Sequence, residues 1–238
     1  MTSHLVAAGG GGFSMSKDGQ PTSLDTFLLE LTGKTSPKVC FAPTASADDP
    51  RYVNQFLTAY GKLHVHPTVL TLWRNAGPSL NRLREADLIL IGAGSTVNLM
   101  ALWQAHGADL IVKERVAAKD DLVIGGISAG GSCFFEGTIT DTFGVPAVWT
   151  GGLGLLPGSF CSHFDGEELR APAYTEAVAT GELPGGYAAD DGAAIHYVDG
   201  KIMNFIAEKE GPGVYSVQPS AEPTASGVLL QSEKMSIL

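Results

Sequence analysis

The sequence predicts an α/β fold built on a mostly parallel β-sheet. Short apolar runs rich in β-branched residues recur along the first half of the chain, and amphipathic stretches separate them. Glycine-rich turns follow several of these runs. Strands that alternate with helices in this way are typical of a parallel sheet whose crossover connections are helical.

The predicted elements follow this alternation in chain order. We predict strands at 4–8, 38–43, 64–71, 87–92 and 121–127. Helices are expected between them, at 22–32, 50–61, 79–85, 96–106 and 108–119. An aspartate stands before Pro50 at the start of the second helix, and proline suits the first turn of a helix.

Beyond residue 140 the segments become shorter and are separated by glycine and proline. We predict a strand at 158–164, a helix at 166–180 and a β-hairpin at 193–207 that turns at Asp199-Gly200. After Gly213 we expect one more strand and a polar tail. With no internal repeat or low-complexity linker in view, residues 1–238 are predicted to form one domain, whose hairpin and strand region begins at about 188.

Composition and charge narrow the classes of partner. A chain of 238 residues, 44% hydrophobic, can bury the core of one large domain. The net charge of −10, with no cluster of lysine or arginine, argues against nucleic acid and anionic membranes. The N-terminus lacks the basic start and long apolar region of a secretory signal. We therefore expect a soluble, cytoplasmic protein whose ligands are small molecules or peptides.

Neither a metal nor a cofactor is expected from the motifs. His64 and His66 could face one side of a predicted strand as metal ligands, but no third ligand is evident, and an exposed strand face is the more economical interpretation. The run from Gly9 to Gly12 resembles a phosphate-binding turn. It fails the dinucleotide pattern G-x-G-x-x-G because Ser14 occupies the last position.

One serine stands where a predicted strand turns into a short helix at 130–136. Gly126-Ile127-Ser128-Ala129-Gly130 matches the pattern G-x-S-x-G. Small neighbours permit the strained turn that lifts a nucleophilic serine Oγ clear of the sheet, and the following helix N-terminus favours an oxyanion. The alternative is a glycine-rich turn whose serine caps the helix. The pentapeptide alone supports both interpretations equally.

A nucleophilic serine needs a base that takes its proton, and the chain has six histidines. His163 stands at the end of a short predicted strand, where a loop begins. Its spacing from Ser128 allows it to return to the edge of the sheet beside that serine. A purely structural histidine is the alternative.

Two glycine-rich turns complete a pattern that includes this serine and histidine. They are Gly9–Gly12 and the segment Gly92-Ala93-Gly94-Ser95-Thr96. With the serine turn and His163-Phe164, they make the sequence resemble the peptidase E family of serine peptidases, over about residues 5–200. The resemblance implies a three-layer, flavodoxin-like scaffold similar to class I glutamine amidotransferases. Cyanophycinases are among the wider relatives.

The resemblance also implies roles for individual residues. Ser128 would be the nucleophile, and His163 the general base that later protonates the leaving amine. The backbone N–H groups of Ala129 and Gly94 would form the oxyanion hole.

The turn that carries Gly94 departs from the family pattern G-G-G-N-T. Ala93 replaces a glycine and Ser95 replaces the asparagine. The turn can accommodate an alanine, but a contact made by the asparagine amide would be lost. This departure keeps open a non-catalytic binding protein on the same scaffold.

Two aspartates compete for the third position of a triad. Asp191 precedes Gly192 as the family's glutamate precedes its glycine, and we favour it for that reason. Asp141 matches an aspartate that follows the helix after the nucleophile in peptidase E. Either carboxylate could hold the imidazole tautomer, and the sequence leaves both open.

The resemblance implies short peptide substrates with a free N-terminus, in the best-known members those that begin with aspartate. Arg170 lies in the segment where the family carries an arginine, and a guanidinium can bind a carboxylate bidentately. We therefore expect a dipeptidase-like serine peptidase that forms an acyl-enzyme. A cyanophycinase-like β-aspartyl hydrolase or another small acyl hydrolase is the alternative, and an edge strand of the sheet would suit a homodimer.

Overall fold

The structure, a computed structural model, describes residues 2–220 and 227–238. Its strands are β1 (Ser3–Ala8), β2 (Lys38–Ala42), β3 (His66–Val69), β4 (Leu88–Ile91), β5 (Leu122–Ile127), β6 (Gly137–Thr140), β7 (Ala147–Thr150), β8 (Ser159–Cys161), β9 (Gly186–Ala189), β10 (Ala193–Val198), β11 (Lys201–Ala207), β12 (Val214–Pro219), β13 (Val228–Ser232) and β14 (Met235–Ile237). Its α-helices are α1 (Ser23–Leu31), α2 (Pro50–Tyr60), α3 (Ala76–Glu85), α4 (Thr96–His106), α5 (Ala108–Ala117), α6 (Ala129–Ser132) and α7 (Arg170–Thr180).

The first sheet has the strand order β14-β11-β10-β1-β5-β4-β2-β3. The five strands predicted from the first half of the sequence lie side by side in it and are all parallel. The predicted hairpin, β10 and β11, extends the sheet beyond β1 with antiparallel pairing. The prediction of a mostly parallel sheet is therefore confirmed.

Both faces of the central parallel strands are buried, which gives the fold its three layers. In β4, Leu88 and Leu90 pack on one face among residues of α1 and α2. Ile89 and Ile91 pack on the other face among residues of α3, α4 and α5. Successive side chains of a strand point to opposite faces, so a strand covered on both sides reads as a continuous apolar run.

A second sheet, which the sequence did not predict, has the order β13-β12-β9-β8-β6-β7 and mixes parallel with antiparallel pairs. The strand expected at 158–164 shortens to β8 and lies in this sheet, between β6 and β9, instead of at the edge of the first. With only three residues, β8 is too short for hydrophobic periodicity to indicate its partners.

The C-terminal region also differs from the prediction. In place of a single strand and a polar tail, β12 pairs with β13, and β14 pairs in parallel with β11. Part of the predicted tail, 221–226, lies outside the described residues. The helix expected at 166–180 begins later, at Arg170, because turns occupy the segment that follows His163.

Asp25 is a buried carboxylate in the first turn of α1. It accepts hydrogen bonds from the backbone N–H of Thr22 at 2.8 Å and from the Tyr60 hydroxyl at 2.9 Å. Burial nevertheless raises its pKa from 3.8 to about 6. Between about pH 4 and pH 6, Asp25 is therefore protonated in the folded protein and ionised in the unfolded chain.

This raised pKa predicts an unusual pH dependence for Asp25→Asn. Because the folded-state pKa lies above the unfolded value, ionised Asp25 lowers stability in full above about pH 6, and the penalty disappears towards pH 4. On going from pH 4 to pH 7, wild type should lose up to about 3 kcal/mol of unfolding free energy relative to Asp25→Asn. Urea unfolding at a series of pH values measures the difference.

The matched control is Asp18→Asn. A hydrogen bond from the Ser16 hydroxyl lowers the pKa of this exposed carboxylate, so wild type should gain stability relative to that variant as pH rises. Slopes of the same sign for the two variants would contradict the assignment for Asp25.

Candidate active site

The chain turns sharply at Ser128, between the end of β5 and the start of α6. Ser128 has φ 54° and ψ −111°, a backbone conformation that a residue with a side chain rarely adopts. Its N–H donates to the carbonyl of Ala8 at 3.0 Å, and its own carbonyl accepts from Gly131 and Ser132. The turn thus has the conformation expected of a nucleophile elbow.

The glycines of the motif are explained by close backbone approach. A Cβ on Gly126 would overlap the carbonyl oxygen of Gly130. A Cβ on Gly130 would overlap the carbonyl oxygen of Ile91, in the neighbouring strand β4. Only residues without a side chain allow α6 to pack this closely against the strand ends.

Three side chains form a hydrogen-bonded chain above this turn. Nε2 of His163 lies 2.8 Å from Oγ of Ser128, and Nδ1 of His163 lies 2.6 Å from Oδ1 of Asp191. Ser128 is 7% exposed, so its hydroxyl is largely shielded from water. In this geometry the imidazole can take the serine proton at one nitrogen while the carboxylate fixes the proton on the other.

The loops that carry His163 and Asp191 are both hydrogen-bonded to the glycine-rich turn after β1. The N–H of His163 donates to the carbonyl of Gly9 at 3.3 Å, and the N–H of Gly192, next to Asp191, donates to the carbonyl of Gly10 at 3.0 Å. A Cβ on Gly10 would overlap the Asp191 carboxylate. The N-terminal glycines therefore serve to bring the histidine and the aspartate together.

The structure separates the two candidate aspartates. Asp191 contacts His163, whereas Asp141 follows β6 and lies 3.5 Å from Nη2 of Arg170. Arg170 itself is 5% exposed. Its guanidinium donates to Glu167 at 2.5 Å and to the carbonyl of Ile139 at 2.9 Å.

These contacts correct the expectation that Arg170 binds a substrate carboxylate. The guanidinium is buried, and its Nε and Nη1 already donate to Glu167 and to the Ile139 carbonyl, which joins α7 to the second sheet. The sequence could not indicate the environment of this side chain, because an arginine that follows two glutamates can be either solvated or buried.

Close backbone contacts hold the turn after β4, which carries the two departures from the family pattern. Gly94 has φ 134°, and a Cβ there would overlap the carbonyl oxygen of Ala45. The N–H of Ser95 donates to the same carbonyl at 2.9 Å. The Ser95 hydroxyl accepts from the N–H of Asn98 and so caps α4, a role that asparagine also fills.

Several supporting residues escaped the sequence analysis. The N–H of Ala93 donates to the Tyr52 hydroxyl at 3.3 Å, which ties the turn to α2. Asp165 accepts from the N–H of Asp191 at 3.0 Å and so steadies the carboxylate that contacts His163. Ser162 lies at the limit of hydrogen-bond distance from Ser128, Oγ to Oγ 3.5 Å. Only Asp165 had a sequence signal, its position two residues after the histidine.

The remaining histidine motif does not form a site. The His64 ring contacts the carbonyl of Thr35, and the His66 ring contacts the Ser36 hydroxyl. Within residues 2–220 and 227–238, no group of three or more histidine, cysteine, aspartate or glutamate side chains is placed to hold a metal ion. In the same part of the chain, none of the helices has the length and apolar character needed to span a membrane.

Comparison with known proteins identifies the family of the chain. Residues 5–205 match the model of peptidase family S51. The chain is 41% identical over 214 residues to the uncharacterized peptidase YgaJ of Bacillus subtilis (strain 168), and the match covers 90% of this chain and 91% of that protein. The resemblance to peptidase E found in the sequence is thereby confirmed.

Two crystal structures share the fold. One is a candidate peptidase E protein from Listeria monocytogenes EGD-e, with a TM-score of 0.61 at 19% identity, covering 85% of this chain and 98% of that one. The other is a peptidase from an acI-B1 Actinobacterium, with a TM-score of 0.65 at 14% identity, covering 97% and 96%. At these identities the likeness concerns the three-layer architecture.

The close approach at Gly130 predicts a large effect for Gly130→Ala. The added methyl group would overlap the Ile91 carbonyl, so the variant should lose about 2–3 kcal/mol of unfolding free energy. Gly77→Ala is the control, because a Cβ at Gly77, in the first turn of α3, meets nothing within 4 Å. The control should be stabilised by up to about 1 kcal/mol. Equal denaturation midpoints for the two variants would contradict this account of the turn.

Proposed function

Because the chain belongs to peptidase family S51, we propose that it is a serine peptidase that cleaves short peptides through an acyl-enzyme on Ser128. The observation that carries the proposal is the hydrogen-bonded chain from the Ser128 hydroxyl through His163 to Asp191, at a turn with φ 54°. A serine that only capped α6 would need neither of these partners.

In the first half of the reaction, Oγ of Ser128 attacks the scissile carbonyl and its proton passes to Nε2 of His163. Asp191 accepts a hydrogen bond from Nδ1–H and stabilises the imidazolium. The carbonyl oxygen becomes an oxyanion, which the N–H groups of Ala129 and Gly94 are proposed to bind. Ala129 opens α6, so its N–H is one of those that the helix leaves without an internal partner.

The second half returns the enzyme to its starting state. The carbon–nitrogen bond breaks as His163 gives its proton to the leaving amine, and the acyl group stays on Ser128 as an ester. A water molecule then attacks this ester while His163 removes its proton. The bond between the acyl carbon and Oγ breaks as His163 returns that proton to Ser128, and the carboxylate product is released.

We propose a dipeptidase-like preference for unblocked substrates. The preference for an N-terminal aspartate is not part of the proposal, because it depended on Arg170, whose guanidinium is held by Glu167 and Ile139.

Ser128→Ala tests the nucleophile. Turnover of a panel of unblocked aminoacyl p-nitroanilides, Asp among them, should fall on the order of 10⁶-fold, because no other group can form the acyl-enzyme. Ser162→Ala is the neighbouring control and should cost less than about tenfold, since its contact with Ser128 is long. Release of chromophore by Ser128→Ala at a rate close to that of wild type would contradict the assignment of Ser128 as the nucleophile.

The two aspartates are tested in the same assay. Asp191→Asn should lower kcat about 10⁴-fold, because an amide cannot hold the imidazole in the productive tautomer. Asp141→Asn should change kcat only a few-fold, since its carboxylate faces Arg170. The opposite order of effects would show that Asp141 orients the base.

A further inference from the structure

A pocket of about 320 Å³ opens beside His163. Part of its lining comes from the segments around Ser128, namely Gly10, Ala93 and Ile127. The start of α2 contributes Asp49 and Arg51. The rest of the lining is Ser14, Met15, Tyr52 and Gln55.

Arg51 is the residue of this lining that carries a permanent positive charge. Its Nε lies 3.2 Å from Oδ1 of Asp49, and its Nη2 lies 2.8 Å from Oδ2. Asp49 is itself held in place, because it caps α2 by accepting from the N–H of Arg51 at 2.8 Å. The guanidinium is therefore oriented by a fixed carboxylate.

The pair with Asp49 uses one edge of the guanidinium, formed by Nε and one Nη2 hydrogen. A guanidinium has five N–H donors, so the edge formed by Nη1 and Nη2 can bind a second carboxylate. The Arg51 side chain is 90% exposed, whereas that of Arg170 is 6% exposed. A ligand can reach Arg51 without breaking an existing contact.

We propose that Arg51 binds the free α-carboxylate of the residue that leaves, which assigns a residue to the proposed dipeptidase-like preference. The inference rests on the proposed serine peptidase function. His163 must protonate the leaving amine, so the leaving residue has to lie against His163, and the same pocket is lined by both His163 and Arg51.

The size and lining of the pocket define the leaving residue further. Its volume lies at the lower end of the range for small-molecule sites, which suits one residue better than an extended peptide. Met15, Tyr52 and Ile127 present apolar surface beside the charged pair. The preferred second residue is therefore small or apolar, with its carboxylate unblocked.

The test compares a dipeptide X-Ala with its amide X-Ala-NH2, where X is the residue preferred in the anilide panel. Wild type should favour the free acid in kcat/KM. Arg51→Gln should lower the ratio of acid to amide about 10- to 100-fold, because a charge-assisted pair is lost. Arg84→Gln removes the same charge from an exposed site on α3 and should keep the wild-type ratio.

Three outcomes would overturn the proposal: a wild type that does not distinguish acid from amide, an unchanged ratio in Arg51→Gln, or a loss confined to substrates whose first residue is acidic. The last would place the guanidinium on the acyl side.

A binding experiment separates this proposal from the function on which it rests. Calorimetry with Ser128→Ala measures the affinity for unblocked dipeptides and their amides without hydrolysis. Adding Arg51→Gln should weaken binding of the acids and not of the amides. If wild type cleaves nothing but this difference appears, the peptidase proposal fails and the carboxylate site stands. If wild type cleaves but Arg51→Gln leaves the affinities unchanged, the carboxylate site fails and the peptidase proposal stands.

Discussion

The close approach of three backbone segments at the Ser128 turn is the constraint on which the rest of the site depends. β5, α6 and the end of β4 approach so closely that Gly126 and Gly130 cannot carry a side chain. Ser128 is held there at a positive φ, which costs about 1–3 kcal/mol for a residue with a Cβ. Two sets of hydrogen bonds offset this strain: the N–H of Ser128 donates to the carbonyl of Ala8, and its carbonyl accepts from N–H groups of α6. The hydroxyl is thereby presented in one place before any ligand arrives.

The glycine-rich turn after β1 is the second organising feature, because the absence of side chains lets other segments approach its backbone closely. Its carbonyl oxygens accept hydrogen bonds from the loops that carry His163 and Asp191, and the Asp191 carboxylate occupies the space of an absent side chain at Gly10. Below the turn, the Phe13 ring stacks on Tyr52, whose hydroxyl ties down the turn that carries Gly94. One aromatic contact thus links the two glycine-rich turns around the serine.

The parallel core could be predicted because burial on both faces leaves a direct trace, a run of apolar residues in each strand. The tight turn at Ser128 and its proximity to His163 were expected from residue types at fixed spacing, and the catalytic roles of the two residues remain predictions. The second sheet could not be predicted, since strands as short as β8 are defined by pairing with distant segments. Asp191 and Asp141 were indistinguishable for a similar reason: what separates them is that Asp191 lies where the chain passes from β9 of one sheet to β10 of the other. Arg51 went unnoticed because only the folded chain brings α2 beside His163.

The division of the three hydrogen-bonded side chains between two sheets has a consequence for the life of the protein. Ser128 comes from the first sheet, His163 follows a strand of the second, and Asp191 stands at the passage between them. A chain that has folded only its N-terminal half has Ser128 in place without His163 and Asp191. The hydrogen-bonded chain of Ser128, His163 and Asp191 therefore requires both sheets to be folded and in contact. Under the proposed mechanism, a chain whose second sheet is unfolded cannot hydrolyse a peptide, because its serine has no base.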